Sequence, residues 1–256
     1  MIDPRAVVDP SAQIDSDVTI GPFSVIGKDV VIGAGTWVGP HVVINGPTTI
    51  GKDNKIFQFA SIGEDPQDKK YAGEDTKLII GDRNVFREYC TVNRGTAQDL
   101  GYTQVGNDNW IMAYCHIAHD CVVHDNVVMS NSSSLAGHVE VGDYAILAGF
   151  ALVHQFCKIG AHSFSAFGSV INQDVPTYVT ASGHLASPRG INSEGLKRRG
   201  FTPEVIRAIK NAYKAIYMSG QKLDDALVKI EEDYGSIGEV CQLIEFIKSS
   251  ERGIIR

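Results

Sequence analysis

Long apolar runs are missing from this chain. Nothing approaches the roughly 20 consecutive apolar residues that a membrane span requires, so membrane insertion is not expected. A surplus of basic charge is missing too: the formal net charge is -7 and the pI is near 5.6, which argues against bulk nucleic-acid binding. The local exception is Lys197-Arg198-Arg199. Cysteine is scarce and odd in number, five in all, and Cys90, Cys115, Cys121 and Cys157 each fall at a recurring small-residue position. They read as packing residues, not as a disulfide set or a zinc site. Met1 is followed at once by Ile2-Asp3-Pro4 and the first repeat, so no secretory leader and a cytoplasmic location are expected.

What is abundant is a period of six. Ile or Val recurs at Ile2, Val8, Ile14, Ile20, Ile26, Ile32, Val38, Ile44, Ile50, Ile56 and Ile62. The position two before it is small or β-branched, as in Ala12, Val18, Ser24, Val30, Thr36 and Val42. An amphipathic helix would repeat at three and four, and a single strand at two. Hexapeptide repeats instead build a parallel β-helix, three short strands to a triangular coil of 18 residues, with the aliphatic side chains in one central stack. Glycine often follows the aliphatic, as at Gly21, Gly27, Gly33, Gly39 and Gly51, and is expected to serve corners whose backbone other residues resist.

The register also marks the interruptions. After Ile62 the in-phase residues are Asp68 and Glu74, which an apolar stack would not hold unpaired, so an excursion loop is expected near 64–77. The period resumes at Ile80, Phe86 and Val92 and restarts one residue out of phase at Val105, which predicts a second loop near 95–104. It then runs to Ile171 with Ser165 as the only polar member, and the rod is expected to end near Pro176. Beyond Ser193 the spacing turns helical, with Val205, Ile209, Ala212, Tyr213 and Ile216 on one face and Arg207, Lys210 and Lys214 on the other. Thr202-Pro203 reads as a helix start and Ser236 with Glu239 as a capping box. The expected fold is a left-handed parallel β-helix over residues 1–190 followed by a small helical domain of about three helices over 191–256.

With an 18-residue coil, residues 18 apart stand above one another at about 4.8 Å. His119 then lies under Gly137, which lies under Gln155; Asp120 lies under His138, which lies under Phe156; and Ala118 and Ala136 lie under His154. Four histidines, His116, His119, His138 and His154, gather on one side of three coils. An imidazole, with an unperturbed pKa of about 6.5, can take a proton from a hydroxyl near neutral pH, which makes His119 a candidate general base. Asp120 could fix its tautomer, provided a corner or bend lets two chain neighbours meet. The Gly137 N–H is a candidate oxyanion donor. A lone histidine here would be a surface or subunit-contact residue, and the spacing His116-x-x-His119-Asp120 also invites a metal reading. On a strand, His116 and His119 would face opposite ways and could share an ion only across a turn.

The loop Gln67-Asp68-Lys69-Lys70-Tyr71-Ala72-Gly73 and the segments His116-Ile117-Ala118-His119-Asp120-Cys121, Leu135-Ala136-Gly137-His138-Val139, Val153-His154-Gln155-Phe156-Cys157 and Glu194-Gly195-Leu196-Lys197-Arg198-Arg199-Gly200-Phe201 resemble the acyl-ACP:UDP-N-acetylglucosamine O-acyltransferases that begin lipid A synthesis. The likeness spans nearly the full length. It implies a homotrimer with clefts between neighbouring rods, an acyl donor carried on the phosphopantetheine of acyl carrier protein, and no separate cofactor or metal. By the same resemblance His119 is the general base, Asp120 its assistant and Gly137 the oxyanion donor. Gln67, Asp68, Lys70, His116, His138, His154 and Gln155 would line the sugar and acyl pocket, and Asn192, Glu194, Arg198 and Arg199 would hold the uridine diphosphate. Guanidinium groups suit phosphate through forked, charged hydrogen bonds, and Lys70 on its excursion loop could reach a neighbour's cleft. Phe167 falls where the family sets its hydrocarbon ruler, and a large ring there implies a shorter acyl chain. Arg207, Lys210 and Lys214 could meet the acidic carrier protein.

Three other readings keep the rod and change its use. A zinc-dependent hydratase of the carbonic anhydrase type would use histidines from two subunits. A structural rod would have flat, regular outer faces, which two excursion loops and clustered histidines do not suit. A CoA-dependent acetyltransferase of the hexapeptide superfamily would differ in its donor.

Overall fold

The computed structural model describes residues 1–256. Short strands, mostly of two residues, form three sheets of nine, eight and ten strands, parallel except for the last strand of the third. They make the three sides of a left-handed β-helix. Partners are offset by 18 residues, as in Val7 with Val25, His116 with Ser134 and Leu135 with Val153. The six-step aliphatics fill the interior: Ile20, Ile26, Ile32, Val38, Ile44, Ile50, Ile56 and Ile62 are each at most 1% exposed. At about 1.5–3 kcal/mol for each large aliphatic taken from water, this stack is the main source of the rod's stability. The small position two before it also points inward, and the four rod cysteines lie there, buried and unpaired. Burial pushes the Cys90 and Cys121 thiols up to about 12. Ser165 sits in the stack with its hydroxyl unpartnered.

The two excursions leave the lattice intact. Ser61 pairs with Thr91, an offset of 30, so the first adds twelve residues between the strands Ser61–Glu64 and Lys77–Ile80. Thr91 pairs with His116, an offset of 25, so the second adds seven. Its boundary differs from the expected 95–104: Tyr102 to Val105 already pair with Lys77 to Ile80, and the loop is 94–101. Thr103, with 0% exposure, points inward as the strand requires.

The glycines and the corners do not coincide as expected. Gly21, Gly27, Gly33, Gly39 and Gly51 do not have positive φ. They are needed where successive coils touch, since a Cβ on Gly21 would lie 2.7 Å from the backbone nitrogen of Pro40. The left-handed conformation belongs to the residue three after the stack aliphatic, among them Phe23, His41, Phe59, Tyr89, Tyr114, Asp120, His138 and Phe156, with φ between 56° and 65°. Side chains in one corner column therefore stack: Phe23, His41, Phe59, Tyr89 and Tyr114 form a continuous exposed ladder with centroids 4.9–5.4 Å apart.

The rod runs past Pro176, which occupies a corner rather than a strand. Val179–Ser182 still adds in parallel, at a shortened offset of 16, and Ser187–Ile191 then turns back antiparallel. Four helices follow: α1 Ser193–Arg198, α2 Pro203–Met218, α3 Leu223–Tyr234 and α4 Gly238–Lys248. Thr202 caps α2 through its hydroxyl and Pro203 takes the first turn, as expected. The capping box does not form: α4 starts after Ile237 with no side-chain cap, which leaves Ser236 one residue too early. Ala208, Ile209, Ala212 and Ile216 of α2 join Leu227, Ile230, Val240 and Leu243 in a second core, which Tyr178 of the rod enters. No helix is long and apolar enough to cross a membrane.

Candidate active site

The corner column 120, 138, 156 and the column 119, 137, 155 beside it carry the candidate chemistry. Their vertical register is direct: the His138 N–H donates to the His119 carbonyl at 3.1 Å, and the Phe156 N–H to the Gly137 carbonyl at 3.1 Å. Asp120 takes the left-handed corner conformation with φ 58°, which short polar side chains tolerate. This corner resolves the difficulty with strand alternation, because it swings the Asp120 carboxylate beside the His119 ring. Nδ1 of His119 lies 2.8 Å from Oδ2 of Asp120. The carboxylate is fully buried, accepting also from the Thr96 N–H at 2.9 Å and the Thr96 hydroxyl at 2.7 Å. With Nδ1–H donated to Asp120, Nε2 of His119 carries the free lone pair.

Gly137 is explained by what lies beneath it. A Cβ there would sit 2.5 Å from Cε1 of His119, so the glycine makes room for the imidazole. Its N–H donates to no acceptor in the chain, whereas those of His138 and Phe156 are taken up by the coil below. A base and an unused donor thus lie on adjacent coils of one column.

His138 stands edge-on to His119, with centroids 5.0 Å apart, and stacks on Phe156 at 4.2 Å. His116 lies one strand away, its Nδ1 2.7 Å from the Thr91 hydroxyl. Burial, and secondarily the charge of His119, hold His116 below the usual imidazole range. His154 is exposed, with Nδ1 3.2 Å from the Gln155 carbonyl. His119, Asp120 and His138 offer donor atoms within 4.8 Å of one another, a geometry compatible with a cation. Asp120, however, is already committed to its three donors. A cavity of about 500 Å³ lies elsewhere, between the rod face bearing Glu140 and Lys158 and α4; no predicted site residue lines it.

Comparison with known proteins places the whole chain among enzymes of one description. Residues 174–255 match the family described as UDP N-acetylglucosamine O-acyltransferase, domain 2, and residues 102–137 match the bacterial transferase hexapeptide repeat. An acyl-(acyl-carrier-protein)-UDP-N-acetylglucosamine O-acyltransferase of Alkalilimnicola ehrlichii is 62% identical over 255 residues, covering 100% of this chain and 99% of that protein. One of the same description from Thiobacillus denitrificans is 60% identical with the same coverage. The solved UDP-N-acetylglucosamine acyltransferase of Francisella novicida superposes with a TM-score of 0.98 at 46% identity, covering 100% of this chain and 94% of that one. The chain belongs to the UDP-N-acetylglucosamine O-acyltransferase family.

The remaining predicted residues of this family member divide by how far their own fold occupies them. On the first excursion loop Gln67 and Lys70 are exposed and Asp68 is half-buried, accepting from the Lys70 N–H at 2.9 Å. Asn192 caps α1, accepting from the Gly195 N–H and donating to the His162 carbonyl. Glu194 pairs with Lys197 at 2.8 Å. Arg199 lies over the Tyr144 ring and donates to the Gly195 and Tyr144 carbonyls, whereas Arg198 is exposed and makes no hydrogen bond or ion pair. Of the two arginines, Arg198 is the one whose guanidinium the fold leaves unoccupied. Phe167 is 72% exposed, edge-on to Phe150 at 5.4 Å, on a different corner of the rod from His119.

Sequence reasoning missed Thr96, Asp99, Thr103 and Arg94. Thr103 Oγ1 accepts from the Asp120 N–H at 2.8 Å, and Asp99 Oδ2 lies 2.5 Å from Nδ1 of His138. Arg94 is 7% exposed, donates to the Gly63 carbonyl at 2.6 Å and the Tyr71 hydroxyl at 3.2 Å, and pairs with Asp65. It ties the first excursion to the root of the second. The out-of-phase insertion one coil below His119 was the available signal.

Proposed function

We propose that the chain transfers a 3-hydroxyacyl group from the phosphopantetheine of acyl carrier protein to the 3-hydroxyl of UDP-N-acetylglucosamine, the first step of lipid A biosynthesis, with His119 as general base. The transfer is the activity for which full-length relatives at 60–62% identity are named. One observation carries the mechanism: the free Nε2 of an aspartate-held imidazole lies beneath an unused glycine N–H.

His119 takes the proton of the sugar 3-hydroxyl as its oxygen attacks the thioester carbonyl. The Gly137 N–H receives the oxyanion that develops. Collapse breaks the carbon–sulfur bond, and the departing thiolate takes back the proton from the His119 imidazolium. Asp120 stabilises that imidazolium, and the reaction needs no cofactor beyond the carrier's own phosphopantetheine.

The cleft is open on a single rod, and the exposed aromatic ladder with Phe150, Leu152, Phe156 and Phe167 leaves apolar surface to cover. This surface supports a homotrimer, with Lys70 and Asp68 reaching a neighbour's histidines and Arg198 and Glu194 meeting the nucleotide. The exposed Arg207, Lys210 and Lys214 of α2 support docking of an acidic carrier protein. Incubation with UDP-N-acetylglucosamine and a panel of 3-hydroxyacyl-ACPs should yield 3-O-acyl product by mass spectrometry. Product from acetyl-CoA alone, or hydration of carbon dioxide with stoichiometric zinc, would overturn the reading. Mixing the inactive variants His119→Ala and Lys70→Ala should restore activity if sites are shared between subunits.

A further inference from the structure

The second excursion, residues 94–101, does more than lengthen a turn: it places one polar residue against each half of the histidine pair. Thr96 donates twice to Asp120, the partner of His119, and Asp99 meets Nδ1 of His138. Stacking on Phe156, with an interplanar angle of 8°, fixes the plane of the His138 ring. It does not fix which nitrogen faces the cleft, because a half-turn about the Cβ–Cγ bond leaves the plane unchanged. Asp120 cannot decide it either. Its Oδ2 is 3.9 Å from Nδ1 of His138, beyond hydrogen-bond reach, and is already occupied by His119 and Thr96. The charged and titratable groups in contact with this ring are therefore Asp99, Asp120 and His119, and Asp99 alone bonds to it.

Stability gives little reason for the pair. Asp99 is 41% exposed on its loop, and an ion pair in that setting adds little to stability. We propose that Asp99 is a positioning residue, which holds His138 with Nδ1–H donated away from the reaction so that Nε2 is the atom presented to the sugar substrate. There Nε2 accepts from an N–H or O–H of the bound glucosamine and orients its 3-hydroxyl towards His119. The inference rests on the acceptor proposed above and deepens that reading by naming what orients it.

The test is the full-length protein carrying Asp99→Ala or Asp99→Asn, the latter keeping an acceptor oxygen at the same reach. Isotope-labelled histidine NMR reads the Nδ1 and Nε2 signals of His138, and steady-state kinetics reads KM for UDP-N-acetylglucosamine separately from kcat. Asp99→Ala should redistribute the His138 ring-nitrogen signals and leave those of His162 in place. It should raise KM about tenfold with a smaller change in kcat, the order expected for loss of one hydrogen bond to the substrate. Asp99→Asn should recover most of both. Unchanged His138 signals in Asp99→Ala, or a KM within about twofold of wild type, would overturn the proposal. An error in the general-base assignment would show separately: His119→Ala would keep its turnover while the Asp99→Ala signals still moved.

Discussion

His119 and Asp120 are chain neighbours whose side chains meet at 2.8 Å, an arrangement that a regular strand forbids and a left-handed corner permits. The same corner conformation is used in coil after coil. In only one column does it hold a carboxylate beneath a histidine, with the imidazole that the carboxylate orients at the preceding position.

Removing that imidazole should be costlier for turnover than for the fold. His119→Ala is expected to lower kcat about 10²-fold to 10⁴-fold while the chain still folds, with a lowered unfolding midpoint because the buried Asp120 carboxylate keeps only its two bonds from Thr96. Steady-state rates beside urea melts check it, and full activity would exclude His119.

Gly137→Ala places a methyl group 2.5 Å from His119 Cε1. The ring must give way. A displacement approaching 1 Å in a positioned base costs on the order of 10²-fold, so kcat/KM should fall by about that factor although no reactive group is deleted. Activity near wild type would show that the imidazole has other room.

Phe167→Gly should shift donor preference towards longer 3-hydroxyacyl chains. The ring is exposed, braced by Phe150 and over Gly149, so its removal takes nothing from the core. Rates across an acyl-ACP length series decide it, and an unmoved optimum removes Phe167 as the ruler.

His162 supplies a pH signature. Burial, aided by the Arg199 guanidinium, pushes its pKa down to about 4 from 6.5. The unfolded chain therefore binds a proton that the native chain refuses, so native stability should decline as pH falls from about 6.5 towards 4 and lose no more from this group below that. Urea unfolding at a series of pH values should show the slope, and His162→Gln should reduce it, leaving the part due to His116, which burial also lowers.

The rod, its 18-residue register and the pairing of His119 with Gly137 were legible because a six-residue period leaves one solution for its aliphatics. The Asp120 contact was legible only as a requirement for a bend. Sequence pattern misassigned the bend itself, crediting glycines that in fact relieve coil-to-coil contact, because glycine serves close approach and positive φ alike and the spelling does not separate them. Thr96 and Asp99 were hidden for another reason: an inserted loop has no period from which to project its side chains. Ser236 looked like a cap, but helix α4 begins where packing against α2 and α3 places it.

The final antiparallel strand, Ser187–Ile191, has a use that the coils below it do not share. A stack of identical rungs offers its last rung as a template for another chain, and two such molecules could fuse tip to tip into fibrils. Reversal of strand direction, with Pro188 withholding an N–H and Arg189 exposed beside it, spoils that template before the helices begin. Growth of the column is thereby stopped within the same chain that built it.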